Sequence, residues 1–289
     1  MKVLVLGIDG MVGHKIAQSL TNNFEVFGSS RKKIKIQEIG LNKALILNHD
    51  FLKDDYNSLF NKIKPDYIIN CIGLTTRRGA SENIFNTEFL NTKLPYYINK
   101  WTTENNKKLI HFSTDCVFSG NKGNYLDNDT PDAIDLYGKS KGLGEINSDK
   151  NLTIRCSMIG REIFNHTELF EWLYSNKNGS IQGYYNVIYS GVTTNWMGNV
   201  LNKILMNGDE LSGICNVASI PISKYDLLFK LSEAFKLNIY IKPNYDINSN
   251  KVLISKKFIE ITGINPPNWE DLIIEFKKNT DLYSSIYKN

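Results

Sequence analysis

The sequence predicts an α/β protein, in which a doubly wound parallel sheet is joined to a smaller α/β lobe. Short apolar runs alternate with helical periods through the first half of the 289 residues, as they do in strand–helix units of a parallel sheet. The run PDYIINCIG is apolar almost throughout, which is typical of a strand covered on both faces. After about residue 160 the alternation becomes less regular, which indicates a second and smaller unit.

Each element of the first unit follows from its hydrophobic period. The predicted strands are the apolar runs KVLVLG, FEVFGSS, KALILNHD, PDYIINCIG, KKLIHFSTDCVFSG and LTIRCSMIG. The predicted helices between them are MVGHKIAQSLTNN, YNSLFNKI, NTEFLNTKLPYYINKWTTENN and DLYGKSKGLGEIN. The second unit contains three further helical patterns, which are TELFEWLYSN, ISKYDLLFKLSEAFKL with Ser223 as its N-cap, and PPNWEDLIIEFKKN.

The charge, the cysteine spacing and the lengths of the apolar runs restrict the classes of function that the protein can have. The 34 Lys and Arg residues against 30 Asp and Glu leave a net charge of +4, which calls for neither nucleic acid nor a membrane surface as partner. The four cysteines are widely spaced, so we expect buried thiols in a reducing compartment and no metal site. The apolar run VLVL is too short for a signal peptide, and no run reaches the roughly 20 residues of a membrane span. We therefore expect a cytoplasmic protein.

A glycine-rich turn, GIDGMVG, follows the first strand and opens the first helix. Gly7, Gly10 and Gly13 permit a tight turn and let backbone N–H groups approach a pyrophosphate, to which the helix N-terminus adds partial positive charge. The G-x-x-G-x-x-G spacing differs from the G-x-G-x-x-G fingerprint. In its strand–turn–helix context it still predicts a Rossmann dinucleotide-binding domain, and a tight turn without a ligand is the alternative.

The end of the second strand, GSSRKK, bears on the choice of dinucleotide. It contains no carboxylate to bond the ribose 2′-hydroxyl of NAD. Charge-assisted hydrogen bonds to a 2′-phosphate can come from Ser29, Ser30, Arg31 and Lys32. This favours NADPH over NADH, with a solvated basic loop as the alternative reading.

Two Tyr-x-x-x-Lys pairs occur in the chain, Tyr96/Lys100 and Tyr137/Lys141. A chain this rich in Tyr and Lys contains about that many pairs by chance, so the spacing alone decides nothing. The surroundings of each pair have to decide between a catalytic pair and two side chains on an exposed helix.

Four motifs together resemble the extended short-chain dehydrogenase/reductase family: GIDGMVG, NCIG, FSTDCVFSG and YGKSK. Within it, the chain is similar to reductases of 4-keto-6-deoxy nucleotide sugars, typified by dTDP-4-dehydrorhamnose reductase. The similarity covers nearly the whole chain and is most specific from STDCVFSG to YGKSKGLGE. It implies an NAD(P)-binding Rossmann domain over 1–160 and a substrate-binding lobe over 161–289, with part of 185–205 able to return to the first domain.

The resemblance also assigns the chemistry, to Thr114, Tyr137 and Lys141, and gives nothing to Tyr96/Lys100. A free tyrosine has a pKa of about 10, too high for efficient proton transfer at neutral pH. Four residues on, Lys141 lies on the same helix face, so we expect its charge to lower the pKa of Tyr137. The lysine is also implied to bond the nicotinamide ribose, and Thr114 to bond the substrate carbonyl. Tyr137 would then give a proton to the oxygen while C4 receives a hydride.

Further positions carry over from the family with less force. The implied cofactor contacts are Gly7, Gly10, Met11, Val12, Gly13, Ser29, Ser30, Arg31, Asp50, Phe51, Cys71, Ile72, Gly73, Tyr137 and Lys141. The implied substrate contacts are Thr114, Asp115, Asn186, Tyr189 and Ser190. Asn91 matches a family asparagine that either bonds backbone or takes a direct role.

Four arginines are ambiguous. Arg155 and Arg161 bracket the sixth strand, where either could meet a diphosphate, although a surface ion pair is the preferred interpretation. Arg77 and Arg78 stand where the family usually has an acidic loop near the mouth of the site. They indicate either a different anionic group on the substrate or a solvated loop.

The leading hypothesis is NADPH-dependent reduction of the 4-keto group of a nucleotide-activated 6-deoxy sugar for a surface polysaccharide. The sugar would be dTDP-4-dehydrorhamnose or a UDP-N-acetyl-4-keto-6-deoxyhexose. A dehydratase is disfavoured because Cys116, and not Glu, follows Asp115. The alternatives are an epimerase with retained NAD and a non-catalytic homologue such as the regulatory subunit of methionine adenosyltransferase. The nucleotide, the face of C4 attacked and formation of a homodimer stay open.

Overall fold

A computed structural model of the protein describes residues 1–32, 40–78, 83–208, 210–278 and 280–283, without the side chains of 78, 281 and 282. In chain order its strands are β1 (Lys2–Leu6), β2 (Glu25–Ser30), β3 (Leu45–Asn48), β4 (Tyr67–Asn70), β5 (Lys108–Ser113), β6 (Leu152–Arg155), β7 (Met158–Ile159), β8 (Ser180–Tyr184), β9 (Val187–Tyr189), β10 (Val192–Thr193), β11 (Gly213–Asn216), β12 (Ile222–Ser223), β13 (Tyr240–Asn244) and β14 (Ser249–Asn250). Its helices are α1 (Met11–Leu20), α2 (Tyr56–Ile63), α3 (Ile84–Glu88), α4 (Leu94–Glu104), α5 (Leu136–Leu143), α6 (Leu169–Ser175), α7 (Thr194–Asn207), α8 (Lys224–Ala234), α9 (Lys256–Thr262) and α10 (Trp269–Lys278). Within these ranges no helix is long and apolar enough to cross a membrane.

Seven strands form one parallel sheet in the order β11-β6-β5-β4-β1-β2-β3. Its central strands are buried because their apolar residues are covered on both faces. The predicted doubly wound sheet is confirmed. The sequence indicated six of its strands and missed β11, which comes from the second half of the chain and pairs with β6.

The strand order reverses between β1 and β4. The chain runs from β1 outward to β2 and β3, then crosses to β4 and continues outward to β5 and β6. The turns that follow β1 and β4 therefore diverge and leave a crevice at the carboxyl ends of the strands, where open α/β sheets bind ligands. The glycine turn borders this crevice on one side, and residues 71–74 border it on the other.

Helices cover both faces of the sheet. On one face, α1 and α7 pack against each other and against a core that includes Val3, Val5, Ile16, Leu20 and Leu201. On the other face, the core includes Leu4, Leu6, Phe60, Ile98 and Trp101. Since α7 lies beyond residue 161, the second segment of the chain contributes a helix as well as β11 to the layers around this sheet.

The smaller lobe has its own core, formed mainly by α6, α8 and α10. Its buried residues include Phe170, Leu173, Leu227, Leu231 and Phe276. β8 pairs with β13, and β9 lies between β12 and β14. Ser223 caps α8, as its position predicted, by accepting a hydrogen bond from the backbone N–H of Asp226 at 2.9 Å. The boundary between 160 and 161 stays a prediction.

The helix predicted after β4 is interrupted. A π-helical segment, Phe89–Lys93, joins α3 to α4, and Pro95 lies in the first turn of α4. Proline has no backbone N–H and cannot close the helical bond to the carbonyl four residues earlier, which is that of Asn91. The wider turn at this point is what proline-disrupted bonding produces.

Two arginines are held in buried ion pairs. Arg155 Nη2 lies 2.7 Å from Glu145 Oε2, and Arg161 Nε lies 2.8 Å from Glu171 Oε1. All four side chains are at most 5% exposed. The two arginines are therefore in ion pairs, as expected, but the expectation that these pairs lie at the surface was wrong. The same Glu145 carboxylate accepts a 2.6 Å bond from Ser113, the last residue of β5. The Glu145–Arg155 pair therefore fixes the strand end that precedes Thr114.

We predict that Glu145→Ala lowers the free energy of unfolding by about 3–5 kcal/mol, because it leaves the Arg155 guanidinium buried without its anion. Urea unfolding followed by circular dichroism measures the loss. Glu270→Ala is the matched control, since Glu270 pairs with Lys230 on the exposed surface and should be nearly silent. Equal losses in the two variants would contradict a special role for the buried pair.

Candidate functional site

The turn after β1 is shaped by glycines. Gly7 adopts a left-handed backbone with φ of +71°, and its carbonyl accepts a 3.0 Å bond from Gly10 N–H. A Cβ on Gly13 would collide with the Gly7 carbonyl oxygen, so only glycine lets α1 approach the turn so closely. Gly10, the N-cap, supplies no side-chain cap to the first N–H groups of α1. The turn therefore fits an anionic ligand at the start of α1.

His14 supports this turn from behind. Its Nδ1 lies 2.7 Å from the Gly10 carbonyl oxygen and its Nε2 lies 2.5 Å from the Tyr283 hydroxyl. Burial lowers the pKa of His14 to about 4, so the imidazole is neutral near pH 7. Sequence reasoning missed His14 because its partner Tyr283 lies near the other end of the described chain.

A cavity of about 490 Å³ opens beside the glycine turn. It brings together most of the predicted cofactor contacts, which are Gly7, Gly10, Ser29, Ser30, Arg31, Asp50, Phe51, Cys71, Ile72 and Gly73. Met11, Val12 and Gly13 lie in α1 and do not line it. The cavity also receives residues that the sequence did not single out: Asp9, His49, Leu74, Leu90, Phe164, Asn165 and Thr167. An elongated ligand the size of a dinucleotide fits this distribution of contacts.

The end of β2 gives the cavity a basic rim. Arg31 and Lys32 are exposed at the cavity, and the Ser30 hydroxyl accepts a 3.1 Å bond from the Lys32 N–H. Lys32 Nζ lies 4.7 Å from the centre of the Phe164 ring, a cation–π contact across the cavity mouth. Lys33 of the same motif lies outside the described residues. Two cations and two hydroxyls thus face one end of the cavity.

Thr114 and Tyr137 meet at the carboxyl end of β5. The Thr114 hydroxyl oxygen accepts a 3.1 Å bond from Cys116 N–H, and the hydroxyl donates a 3.1 Å bond to Asp115 Oδ1. The Tyr137 phenol lies close enough for hydrogen bonding with Thr114 to lower the pKa of Tyr137. Tyr137 is the second residue of α5, whose N-cap Asp135 accepts a 2.9 Å bond from Gly138 N–H. A Cβ on Gly138 would collide with the Cys116 carbonyl oxygen. Glycine at 138 therefore lets α5 bring Tyr137 against Thr114.

Lys141 lies beneath the wall of the cavity. Its ammonium donates a 2.6 Å hydrogen bond to the Phe112 carbonyl, and its side chain is buried. A Cβ on Gly73 would lie 3.9 Å from Nζ, so the ammonium is close to the cavity lining. Burial lowers the pKa of Lys141 to about 8, against the attraction of Glu145. The lysine is therefore largely protonated at pH 7, at the junction of α5, β5 and the crevice.

The expected lowering of the Tyr137 pKa was wrong. Burial raises that pKa well above its usual range, and the carboxylates of Asp115 and Glu168 raise it further. Lys141 is not among the groups with the largest effect on Tyr137, because its ammonium is turned to the Phe112 carbonyl. Tyr137 is therefore a neutral phenol near pH 7, and a weaker acid than a free tyrosine.

Asn91 acts on the backbone. Its side chain accepts a 2.8 Å bond from Leu74 N–H, donates a 3.0 Å bond to the Leu74 carbonyl, and donates another at 3.0 Å to the Ser140 hydroxyl. These bonds join the loop after β4 to α5. Of the two readings of Asn91, the structure shows the backbone one.

The predicted substrate contacts separate into two groups. Asn186 donates to the Tyr245 carbonyl at 3.1 Å, and the Ser190 hydroxyl accepts from Leu253 N–H at 3.1 Å, so both side chains serve the lobe itself. Tyr189 is buried, and its ring lies 3.5 Å from Lys224 Nζ. Burial raises the pKa of the Tyr189 phenol well above its usual range, and Asp115 raises it further. The substrate roles of all three remain predictions.

The loop after β4 contacts the smaller lobe. Arg77 Nη1 donates a 2.7 Å bond to the Thr167 carbonyl, and the Thr75 hydroxyl lies 3.2 Å from Glu168 Oε1. Arg77 lines the cavity, whereas the side chain of Arg78 lies outside the description. Of the two readings for Arg77, a residue at the site mouth fits better than a purely solvated one.

Comparisons with known proteins agree with this architecture. Residues 1–161 match the family model described as the RmlD substrate binding domain. The chain is 25% identical to dTDP-4-dehydrorhamnose reductase of Aggregatibacter actinomycetemcomitans, over 93% of this chain and 96% of that one. It is 24% identical to the spore coat polysaccharide biosynthesis protein SpsK of Bacillus subtilis, over 95% and 96%.

A solved structure shows the same fold. The chain superposes on dTDP-4-dehydrorhamnose reductase of Bacillus anthracis, a structure in complex with NADP, with a TM-score of 0.79. The identity is 19%, and the superposition covers 96% of this chain and 99% of that one.

Proposed function

The chain belongs to the RmlD substrate binding domain family, and from this membership we propose that it is an NAD(P)H-dependent oxidoreductase. Its reaction would be reduction of the 4-keto group of a nucleotide-activated 6-deoxy sugar. The observation that carries the proposal is the close approach of α5 to the turn after β5, which brings Tyr137 beside Thr114, with Lys141 on the same helix as Tyr137.

The residues around the cavity fit a dinucleotide. A Cβ on Gly13 would collide with the Gly7 carbonyl oxygen, so glycine here lets α1 pack closely on the turn, as the third glycine of a dinucleotide-binding turn does. Gly7 and Gly10 would hold the pyrophosphate, and Asp50 with Phe51 would line the adenine end. Ser30, Arg31 and Lys32 would hold a 2′-phosphate, which makes NADPH the preferred form. Bound here, NADPH supplies a hydride for a carbonyl carbon.

Tyr137 would act as the proton donor. The phenol is neutral near pH 7 and carries the proton that a ketone oxygen needs as it becomes a hydroxyl. Since burial raises its pKa, transfer of that proton requires a positive charge nearby to stabilise the phenolate. The Thr114 hydroxyl donates to Asp115 Oδ1 at 3.1 Å, and it would turn from that carboxylate to the carbonyl oxygen when the substrate binds. Lys141 would hold a ribose hydroxyl of the dinucleotide. Its charge would also favour the phenolate that is left after proton transfer.

The substrate assignment rests on relatives. Those similar over nearly the whole chain are named for dTDP-4-dehydrorhamnose reduction and for spore coat polysaccharide biosynthesis. We therefore propose a dTDP- or UDP-linked 4-keto-6-deoxy hexose as substrate and a surface polysaccharide as the use of its product. An epimerase of similar fold would keep NAD bound, and the basic rim at Arg31 and Lys32 does not favour NAD.

We predict that the purified protein oxidises NADPH when given a dTDP- or UDP-linked 4-keto-6-deoxy sugar. The loss of absorbance of the reduced nicotinamide measures turnover with the two nucleotides side by side. If neither sugar causes NADPH consumption, and NAD copurifies with the protein, the result would contradict reduction and indicate the epimerase.

Tyr137→Phe should lower kcat roughly 100- to 10,000-fold, since it removes the proton donor. Its affinity for NADPH, measured by fluorescence titration, should stay near that of the wild type. Tyr96→Phe is the matched control because Tyr96 begins the other Tyr-x-x-x-Lys pair and is 49% exposed on α4. An unchanged kcat in Tyr137→Phe would contradict the role of Tyr137 as the proton donor.

Arg31→Ala should raise the KM for NADPH roughly ten- to hundredfold and leave the KM for NADH nearly unchanged. A hydrogen bond to a charged group is worth about 1.5–3 kcal/mol. NADH has no 2′-phosphate, so it makes no such bond with Arg31 and its binding is not weakened by the substitution. Lys43→Ala is the control, because Lys43 is an exposed cation bonded to Asn22 and does not line the cavity. A parallel change in both KM values would show that Arg31 does not read the 2′-phosphate.

A further inference from the structure

The last described turn of the chain lies against the start of α1. This segment, Thr280–Tyr283, is a single turn of 3₁₀ helix after α10, and the Thr280 hydroxyl donates a 3.1 Å bond to the Phe276 carbonyl. Tyr283 is 2% exposed, and its hydroxyl lies 2.5 Å from His14 Nε2. Two residues that are 269 positions apart in sequence are therefore in contact behind the glycine turn.

Tyr283 is also held from the side of the smaller lobe. The Arg161 guanidinium carbon lies 5.5 Å from the centre of the Tyr283 ring, a cation–π contact. Arg161 is itself fixed by its buried ion pair with Glu171. Burial raises the pKa of the Tyr283 phenol above its usual range, so the hydroxyl keeps its proton near pH 7. The lobe thus presents a neutral hydroxyl to α1 in a fixed place.

The contacts of His14 determine which of its ring nitrogens carries the proton. Nδ1 lies 2.7 Å from the Gly10 carbonyl oxygen, and a carbonyl only accepts hydrogen bonds, so Nδ1 carries the proton. A neutral imidazole has one N–H, so Nε2 accepts and the Tyr283 hydroxyl is its donor. The hydroxyl therefore favours the tautomer of His14 that can hold the Gly10 carbonyl.

The Gly10 carbonyl shares a peptide with the first N–H of α1. That peptide is planar and trans, so its carbonyl and the Met11 N–H point in opposite directions. The carbonyl also accepts a 3.2 Å bond from the His14 N–H and so points along α1. The Met11 N–H points out of the helix N-terminus, where no carbonyl of the helix accepts it. Glycine at this N-cap has more backbone freedom than other residues, and the His14 side chain restrains it.

We propose that His14 and Tyr283 are positioning residues for the dinucleotide, an inference that rests on the proposed function for the identity of the ligand. The Tyr283 hydroxyl fixes the tautomer of His14, His14 holds the Gly10 carbonyl, and the peptide presents the Met11 N–H to the pyrophosphate. Neither side chain lines the cavity, so both act through the backbone of the turn. Because the pyrophosphate is common to NADPH and NADH, the pair supports both dinucleotides equally, in contrast to Arg31.

Tyr283→Phe tests the pair because it removes the hydroxyl and keeps the ring against Arg161. Without that donor the imidazole also takes the other tautomer, whose Nδ1 lone pair cannot bond the Gly10 carbonyl. We expect NADPH and NADH to bind about three- to tenfold more weakly, as loss of one neutral hydrogen bond implies, with kcat at saturating NADPH within about twofold of the wild type. Fluorescence titration well below the thermal midpoint measures both affinities. Unchanged affinities, or a loss confined to NADPH, would overturn the proposal.

Tyr174→Phe is the matched control. Tyr174 also has its ring centre 5.5 Å from the Arg161 guanidinium carbon, but it is 42% exposed and does not line the cavity. This variant should bind both dinucleotides like the wild type. An equal loss of affinity in Tyr174→Phe would show that disturbed packing around Arg161, and not the Tyr283 hydroxyl, is the cause.

A double-mutant cycle with His14→Leu shows whether Tyr283 acts through His14. His14→Leu alone should weaken both dinucleotides at least as much as Tyr283→Phe does. In the His14→Leu background, Tyr283→Phe should then change the NADPH affinity by less than about twofold. If Tyr283→Phe causes the same loss in both backgrounds, its effect does not pass through His14 and the proposal is wrong.

The tautomer of His14 can be measured directly in the wild type. Nitrogen-15 NMR distinguishes an imidazole protonated at Nδ1 from one protonated at Nε2. The chain has four His, so the His14 signals are identified by their absence from the spectrum of His14→Leu. We expect the proton on Nδ1 in the wild type at pH 7, and a population with the proton on Nε2 in Tyr283→Phe. A wild-type His14 protonated at Nε2 would overturn the proposal whatever the variants show.

The outcomes separate this inference from the proposed reaction. If no 4-keto sugar is reduced, but NADPH binds and Tyr283→Phe weakens both dinucleotides, the positioning role stands and the reaction assignment fails. If the sugar is reduced and Tyr283→Phe binds both dinucleotides like the wild type, the reaction assignment stands and the positioning role is wrong.

Discussion

The close approach of α5 to the turn after β5 is the contact on which the site depends. It is possible because Gly138 has no side chain to collide with the Cys116 carbonyl, and Asp135 fixes where the helix begins. Lys141 fastens the next turn of the helix to β5 through the Phe112 carbonyl. Because helix and strand are joined in this way, Tyr137 lies against Thr114. If α5 lay farther from β5, a single ligand could not contact the hydroxyls of both Tyr137 and Thr114.

Burial then sets the protonation of this site. The same low-dielectric surroundings keep Tyr137 neutral and lower the pKa of Lys141 and Lys224 to about 8. Charges that are not needed for chemistry are paired, as in Glu145–Arg155 beneath the end of β5. Arg31, Lys32 and Arg77 line the crevice, and among the described residues none of them forms an ion pair. These cations make the crevice suited to anionic ligands.

The sequence predicted the sheet because each strand and crossover helix is a local pattern. It missed β11, since the four residues GICN carry no period and acquire their place only by pairing with β6. It placed Arg155 and Arg161 at the surface because a single sequence does not reveal which carboxylates will cover them. It gave the wrong direction for the Tyr137 pKa because i,i+4 spacing indicates a shared helix face but says nothing of burial or of where an ammonium points.

By itself, the sequence determined the glycine turn, the basic end of β2 and the positions of Thr114, Tyr137 and Lys141, since each depends on neighbours within a turn or a strand. Only the tertiary structure decided which distant segments complete the crevice. Phe164 lies against Lys32 at the cavity, and Arg77 donates to the Thr167 carbonyl, because packing of the two lobes brings these segments together. Hydrophobic period and spacing indicate which face of its helix or strand a residue lies on. The residues packed against that face come from elsewhere in the chain. Those residues also bring the charges and the burial that shift the pKa values at the site.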